Sequence, residues 1–308
     1  MKRLLITGGA GMIGRRVTAA WVRAGGEAAV FDDLSSGLPM PAAATLSLRG
    51  DIRDGEALSR LCRDFRPQAI MHLAAVHHIP TCEQRRRHCL EVNVAGTEQV
   101  LQVAEEAGVR RIVLASSGAV YAWSDGALGE QASALDACDN YALSKLSNER
   151  QLRFWCERGA GVGRVARIFN SIAHDDPNGH LIPEVLAQLG ASGGAEAEVR
   201  LGNLSPRRDY LHADDVAQGL LALLGDSRAD QPYDVFNLCT GVEHSVEQLV
   251  AEIGRALGRQ VRIRVDDSRR RRVDRPSQLG DPSRAAALLG WRAQLDFPAA
   301  IRRVLSPA

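Results

Sequence analysis

The segment that most constrains this chain is residues 7–14, TGGAGMIG, which lies between a strand-like run and a helix-like run. Its glycines are spaced G-x-x-G-x-x-G. Because glycine has no Cβ, such a turn lets a phosphate approach the exposed N–H groups at the positive end of the helix. The turn could also connect strand and helix without a ligand, but in a βαβ context it indicates a dinucleotide site. The predicted pyrophosphate contacts are Gly8, Gly11, Met12, Ile13 and Gly14.

The first half of the chain alternates between strand and helix patterns. This spacing predicts an α/β fold, a Rossmann-type doubly wound parallel sheet with right-handed crossovers. Asp54 and Asn140 are the expected N-caps of two helices. The expected strands are residues 3–7, 28–31, 69–73, 111–115 and 162–168, and the expected helices are 12–24, 55–65, 91–107 and 141–158.

The pattern loosens after residue 168, where Gly and Pro are scattered and the strands are short. We therefore expect residues 1–168 to form the dinucleotide-binding domain and residues 169–308 to form mainly a smaller C-terminal α/β substrate lobe. Some of its strands and helices are expected to return to the first domain. The expected strands are 198–201, 235–238 and 261–265, and the expected helices are 214–224, 245–257 and 282–289.

Composition excludes several classes of protein. The 38 basic and 37 acidic residues give a net charge of +1, which argues against nucleic acid as a partner. No run approaches the roughly 18 apolar residues of a membrane span, and no signal peptide is recognisable, so we expect no membrane partner and a cytoplasmic location. The six cysteines include no C-x-x-C spacing and predict reduced thiols and no metal site.

Two aspartates at the end of the second strand indicate which dinucleotide binds. The carboxylate of Asp32 can accept hydrogen bonds from both adenosine-ribose hydroxyls and would repel a 2′-phosphate, so NAD is favoured over NADP, with Asp33 beside it. Arg15 and Arg16 leave NADP open. Asp51, in a GDIRD segment, could contact adenine or be an ordinary loop acid.

A third motif is Tyr141-x-x-x-Lys145, whose two side chains share one face of the predicted helix. Lys145 is one of only two lysines, against 36 arginines, which makes chemistry that arginine cannot perform a strong explanation for it. Its ammonium group can lower the pKa of the phenol and also reach a ribose hydroxyl, which would make Tyr141 a general base. Ser116 and Ser117 follow a strand about 25 residues earlier.

Ten short segments occur in a specific order along nearly the whole chain: TGGAGMIG, FDDLSSG, GDIRD, HLAA, NVAGT, SSGAVY, YALSK, RIFN, RDYLH and DPSR. With them the sequence resembles an extended short-chain dehydrogenase/reductase of the NAD-dependent nucleotide-sugar epimerase/dehydratase family, and most of all the UDP-sugar 4-epimerases. The resemblance implies NAD as cofactor, a nucleotide-diphosphate sugar as substrate, and a homodimer formed by the helices at 91–107 and 141–158.

The resemblance also implies roles for individual residues. Ser117 would hydrogen-bond the sugar hydroxyl being oxidised, Tyr141 would be the base and Lys145 its helper. Arginines suit a diphosphate because guanidinium offers a fork of donors. The implied substrate contacts are Ser117, Asn170, Arg208, Arg271 and Asp274, although the run 269–272 could also be a solvated loop. The implied cofactor contacts include Ser36, Asp51, Ile52, His72, Leu73, Ala74, Ala75, Asn93 and Ser116.

Two departures from the family pattern bear on the reaction. The 4,6-dehydratases carry an acid and a base directly after the catalytic hydroxyl residue, where this chain has Gly118 and Ala119. A 4-epimerase is therefore expected; a decarboxylase, a 4-keto reductase, another dehydratase and a protein that only senses NAD(H) are the alternatives. In residues 76–82, VHHIPTC, we recognise no pattern: His77 and His78 could select a substrate group, titrate or simply pack.

Overall fold

The structure is a computed structural model that describes residues 1–191, 196–228, 230–270 and 274–306. Strands and helices alternate through residue 168, as the apolar periodicity predicts. The strands are β1 Arg3–Thr7, β2 Glu27–Asp32, β3 Leu46–Arg49, β4 Ala69–His72, β5 Arg111–Ser117, β6 Ala127–Leu128, β7 Val162–Ile168, β8 Asn170–Ile172, β9 Glu196–Leu201, β10 Arg207–His212, β11 Tyr233–Leu238, β12 Glu243–Ser245, β13 Gln260–Val265 and β14 Ser277–Gly280.

The helices are mostly short and several carry recognisable caps. Asp54 caps α2 by accepting from the amide of Ala57, as expected from the sequence. The helices are α1 Met12–Arg23, α2 Gly55–Phe65, α3 Ile79–Gln84, α4 Arg86–Leu90, α5 Gly96–Glu106, α6 Asn140–Glu157, α7 Leu181–Ala191, α8 Ala213–Gly225, α9 Val246–Leu257, α10 Ser283–Leu289 and α11 Phe297–Leu305; Glu91–Ala95 is a π-helical turn, and Gly118–Val120 and Asp267–Arg269 are 3₁₀ turns.

The main sheet has seven strands in the order β11-β7-β5-β4-β1-β2-β3. Every neighbouring pair is parallel; β1, for example, pairs Leu5 with Ala29 on one side and with Ile70 on the other. The strand order reverses direction next to β1. This confirms the predicted doubly wound Rossmann-type fold, in which ligands bind beyond the carboxyl ends of the strands.

Apolar layers cover both faces of this sheet. One layer joins strand residues such as Leu5 and Ile112 to α2, α5 and α6 through residues such as Leu58, Leu101 and Trp155. The other layer packs α1, α8 and α10 against the opposite face. Central parallel strands are buried on both sides, which is why they appear as continuous apolar runs in the sequence.

The second half of the chain contributes to both lobes. β11 is an edge strand of the main sheet, and α8 packs beside α1 against it. The remaining elements form a sheet of β12, β10, β14 and β6 with β8 paired to β10, a β13–β9 pair, and a separate core between α7, α9 and α11. This lobe lies over the carboxyl ends of the main sheet.

Two predicted helix starts need correction, and one edge strand of the main sheet was not predicted. The cap of α6 is Asp139, whose side chain accepts from the amide of Ala142, and Asn140 is the first helical residue. The helix predicted over 91–107 begins as the π-helical turn and becomes α5 at Gly96. The edge strand β3 was not predicted, because its four residues, Leu46–Arg49, are largely exposed and show no apolar pattern.

Candidate active site

A cavity of about 750 Å³ opens between the two lobes. It begins at the glycine turn after β1, passes the carboxyl ends of β2, β4 and β5, and continues to β8, β10 and the start of α7. This is where a doubly wound sheet presents loop residues and helix N-termini to a ligand. The cavity therefore brings both predicted ligand regions into one continuous site.

The glycine turn is shaped for a backbone approach. Gly8 has a φ of +71°, and a Cβ placed there would lie 2.5 Å from the backbone nitrogen of Ala74. A Cβ on Gly14 would lie 2.3 Å from the carbonyl oxygen of Gly8. α1 starts at Met12, and its N-cap, Gly11, provides no side-chain hydrogen bond. The first N–H groups of α1 thus point to the cavity without a side-chain acceptor, which fits a dinucleotide pyrophosphate.

Asp32 lies at the end of β2 and lines the same cavity. Its carboxylate accepts from the amides of Ala10 at 2.9 Å and Leu34 at 2.8 Å, so it also fixes the glycine turn. Burial raises the pKa of this carboxyl group, and the two backbone hydrogen bonds offset part of that rise. A carboxylate held in this way is placed to accept from a ribose diol.

Most of the other predicted cofactor residues also line the cavity. Asp51 is held by Arg53, whose guanidinium lies 2.6 Å from its carboxylate and keeps the pKa of Asp51 below its usual value. The predicted residues found on the wall, besides those already described, are Met12, Ile13, Asp33, Ser36, Asp51, Ile52, Leu73, Ala74, Ala75 and Ser116.

Two residues assigned to direct cofactor contact lie elsewhere. Asn93 is fully buried behind the wall, where its amide pairs with both backbone groups of Val76 at 2.7 and 2.9 Å. His72 is buried between Thr7 and Thr97, and burial lowers its pKa to about 3. Asn93 holds the loop after β4 by pairing with its backbone groups, whereas His72 bonds two threonine hydroxyls.

The predicted catalytic residues converge at the middle of the cavity. Ser117 ends β5, Tyr141 lies in the first turn of α6, and both line the wall with Lys145. The ammonium nitrogen of Lys145 lies 5.9 Å from the centre of the Tyr141 ring and donates to the carbonyl of Ala115 at 2.9 Å. The strand end and the helix thus place a hydroxyl, a phenol and an ammonium group around one point.

Their electrostatics differ from the sequence prediction in one respect. Burial raises the pKa of Tyr141 to about 12, and a hydrogen bond with the Ser117 side chain offsets part of the rise. Burial also lowers the pKa of Lys145 to about 8. The sequence prediction that Lys145 lowers the phenol's pKa is therefore not met in this structure, where burial is the largest effect on that pKa.

A buried ion pair that the sequence reasoning missed lies beneath these residues. Arg167 donates to Glu149 through Nε at 2.9 Å and through Nη2 at 2.7 Å, and Ser116 donates to the same carboxylate at 2.6 Å. Tyr141, Lys145 and Glu149 are spaced four apart, so all three lie on one face of α6. That spacing was a signal for Glu149 in the sequence.

The far end of the cavity carries the predicted diphosphate residues. Asn170, Arg208 and Asp274 all line it, and Asp274 pairs with Arg208 at 3.1 Å. Because a carboxylate repels phosphate, Asp274 serves to orient the guanidinium. Arg271 lies outside the described residues. Arg269, which sequence analysis did not separate from its neighbours, lines the cavity and forms an ion pair with Glu184.

Comparison with known proteins agrees with this geometry. The sequence model described as "NAD dependent epimerase/dehydratase family" matches residues 4–239. The chain belongs to this family. It is similar to UDP-glucose 4-epimerase of Bos taurus, with 30% identity over 96% of this chain and 92% of that protein, and to the one of Azospirillum brasilense, with 32% identity over 94% and 86%. The crystal structure of UDP-glucose 4-epimerase from Brucella ovis in complex with NAD superposes with a TM-score of 0.86, 26% identity and coverage of 99% and 97%.

This family match confirms the resemblance found in the sequence. It also confirms that the protein depends on NAD. Within the described part of the chain, no helix is long and apolar enough to span a bilayer. Among the same residues, His, Cys, Asp and Glu side chains form no group of three or more that could hold a metal ion.

Proposed function

We propose that this member of the NAD-dependent epimerase/dehydratase family is a 4-epimerase of a UDP-linked six-carbon sugar. The observation that carries the proposal is the convergence of Ser117, Tyr141 and Lys145 midway between the dinucleotide turn and the diphosphate residues. The similarity to UDP-glucose 4-epimerases over nearly the whole chain supports the same activity.

The residues divide the chemistry at C4 of the sugar between them. When bound, NAD supplies reversible two-electron oxidation. Ser117 hydrogen-bonds the C4 hydroxyl and orients it toward Tyr141, which takes its proton and later returns it. Lys145, close to the phenol and buried, stabilises the phenolate electrostatically and is placed to hold the cofactor ribose. The positive nicotinamide ring would add to this stabilisation and bring the phenol's pKa down from its value of about 12.

The diphosphate residues explain how the sugar can be inverted. Arg208 is held by Asp274 and lines the cavity together with Asn170, so the nucleotide diphosphate would stay anchored during the reaction. Only the sugar then needs to turn about its bond to the phosphate. Return of the C4 hydrogen as hydride to the opposite face of C4, with the proton from Tyr141 going back to the C4 oxygen, would give the epimer.

Positions 118 and 119 argue against elimination of water. A Cβ on Gly118 would lie 3.0 Å from Gln278 and 3.1 Å from the ring of Phe169, so the wall has little room for an acidic side chain there. Ala119 faces the cavity and cannot move a proton. The 4,6-dehydratase chemistry found elsewhere in this family therefore lacks its acid and base here.

We also propose a homodimer. On α6, Leu143 and Phe154 are 46% and 54% exposed, and they lie three turns apart on one side of the helix. Two exposed large apolar side chains on one helix face are suited to pack against a second copy.

The test supplies the NAD-loaded protein with sugar pairs that differ only at C4: UDP-glucose with UDP-galactose, and UDP-glucuronic with UDP-galacturonic acid. For at least one pair, NMR should show that incubation of either member gives the same equilibrium mixture of the two epimers. Tyr141→Phe should slow this by about 10² or more. The control Tyr121→Phe, whose hydroxyl bonds Asn237 outside the cavity, should stay within a few-fold of wild type. NADH accumulation, a one-way product or NAD binding without turnover would contradict the proposal.

A further inference from the structure

A cluster of histidines closes the sugar end of the cavity. His77 and His78 lie on the loop after β4, on the dinucleotide side, and His180 immediately precedes α7, on the other lobe. All three line the cavity. We refer to His77, His78 and His180, with Asp176 and Asn178, as the histidine cluster.

One hydrogen bond within the histidine cluster, between Asn178 and His77, connects the two lobes. Asn178 Nδ2 lies 2.9 Å from Nε2 of His77, and Asp176 lies 2.7 Å from Nδ1 of His180. The rings of His77 and His78 have their centres 6.1 and 5.7 Å from that of His180, tilted by 54° and 57°. The three imidazoles therefore surround one region of the cavity and are not stacked on one another.

The acids near the histidine cluster already have partners. Burial would raise the pKa of Asp176, but hydrogen bonds from His180 and Asn178 outweigh it and leave that pKa lowered, so Asp176 is an ionised group already paired with His180. The ring of His77 is exposed to the cavity. Desolvation by the surrounding protein, then His180 and Lys145, lower its pKa to about 4, against the opposing effects of Asp176 and the Ala75 carbonyl. The next acid along α7, Glu184, is paired with Arg269.

We propose that the histidine cluster makes this site selective for nucleotide sugars that carry a carboxylate, that is, nucleoside-diphosphate uronic acids. The inference rests on the proposed function, since the sugar reaches the cluster only if its diphosphate and C4 lie as described. An anion among three imidazoles would favour their protonated, doubly donating form and would gain charge-assisted hydrogen bonds. A neutral hydroxymethyl group would gain no charge-assisted hydrogen bond from them.

The inference predicts a dependence on pH with a definite sign. Binding of a uronic acid requires protonated imidazole, so its affinity falls as pH rises through the imidazole pKa of the complex, and binding takes up protons. Binding of a neutral hexose is coupled to no such protonation. The affinities of the two ligands should therefore differ at low pH and become similar at high pH.

The experiment measures binding of UDP-glucuronic acid and UDP-glucose to the NAD-loaded protein by calorimetry, at about pH 6 and about pH 8.5, in buffers of different ionisation enthalpy. At the lower pH we expect UDP-glucuronic acid to bind about tenfold tighter or more, with proton uptake, and the ratio to fall toward one at the higher pH. His180→Gln and His77→Gln should each reduce the ratio. His174→Gln, on the same segment but outside the cavity, should keep it.

Each outcome has a separate meaning. A ratio near or below one at the lower pH, or a preference that does not change with pH or with His180→Gln and His77→Gln, would overturn this inference. If both sugars bind equally and are epimerised, only the inference fails. If neither nucleotide sugar binds at all, both the inference and the proposed function fail.

Discussion

At the scale of single residues, Tyr141 shows what a sequence can and cannot predict. The Tyr-x-x-x-Lys spacing and the rarity of lysine in this chain were enough to single out Tyr141 and Lys145, which the structure brings together on the cavity wall. The pKa of Tyr141 was not predictable from them, because it depends on how deeply the fold buries the phenol, and burial raises it to about 12.

The same limit applies to residues that meet only in the folded protein. His77 and His180 are about a hundred residues apart, and no local pattern connects them. Asn93 belonged to a recognised motif, yet the structure places it behind the cavity wall, where it holds Val76. The motif thus located Asn93 close to the cavity, but it did not show whether the Asn93 side chain contacts the ligand.

We expect a single residue, Asp32, to determine cofactor choice. Asp32→Ala should weaken NAD binding and reduce the preference for NAD over NADP by about tenfold or more, because the variant loses acceptors for the ribose hydroxyls and a charge that repels a 2′-phosphate. Side-by-side titrations with the two cofactors check this. Asp54→Ala is the control, since it also removes a backbone hydrogen bond but lies outside the cavity. Tighter binding of NADP than NAD by the wild-type protein would refute the assignment.

At the scale of elements, the long buried strands and their alternation with helices were predictable because parallel strands covered on both faces need continuous apolar runs. The boundary of α6 was predicted one residue late: Asp139 and Asn140 are both good caps, and the extended backbone of Asp139, with φ −149° and ψ 168°, decides between them. β3 was missed because an exposed edge strand of four residues has no apolar pattern to detect.

The next prediction concerns the buried carboxylate of Glu149 on α6, which bonds Arg167 on β7 and Ser116 on β5. Glu149→Gln should lower the free energy of unfolding by about 3–5 kcal/mol, because it leaves the buried guanidinium of Arg167 without its anion. Urea unfolding of the NAD-loaded protein measures this. Glu157→Gln on the same helix is the matched control: its pair with Arg153 is about half exposed and should contribute little. Equal losses from the two variants would show that the buried pair does not connect helix and strand as described.

At the scale of the whole molecule, the active site exists only where the two lobes meet. One lobe provides the dinucleotide turn together with Ser117, Tyr141 and Lys145. The other lobe provides Asn170, Arg208 and Asp274. β11 and α8 return to the first sheet, so the chain crosses between the lobes more than once. The segments of the second lobe are short and irregular, which is why its function could be inferred from the sequence only through the family resemblance.

The most direct test of the account follows a UDP-sugar carrying deuterium at C4 through turnover in ordinary water, and its unlabelled form in deuterium oxide, by NMR. Transient oxidation at C4, without acid–base groups at positions 118 and 119, predicts that the 4-epimer keeps its C4 deuterium and gains no solvent deuterium on any carbon. Loss of the C4 label, or solvent deuterium at C3, C5 or C6 of the product, would contradict the account.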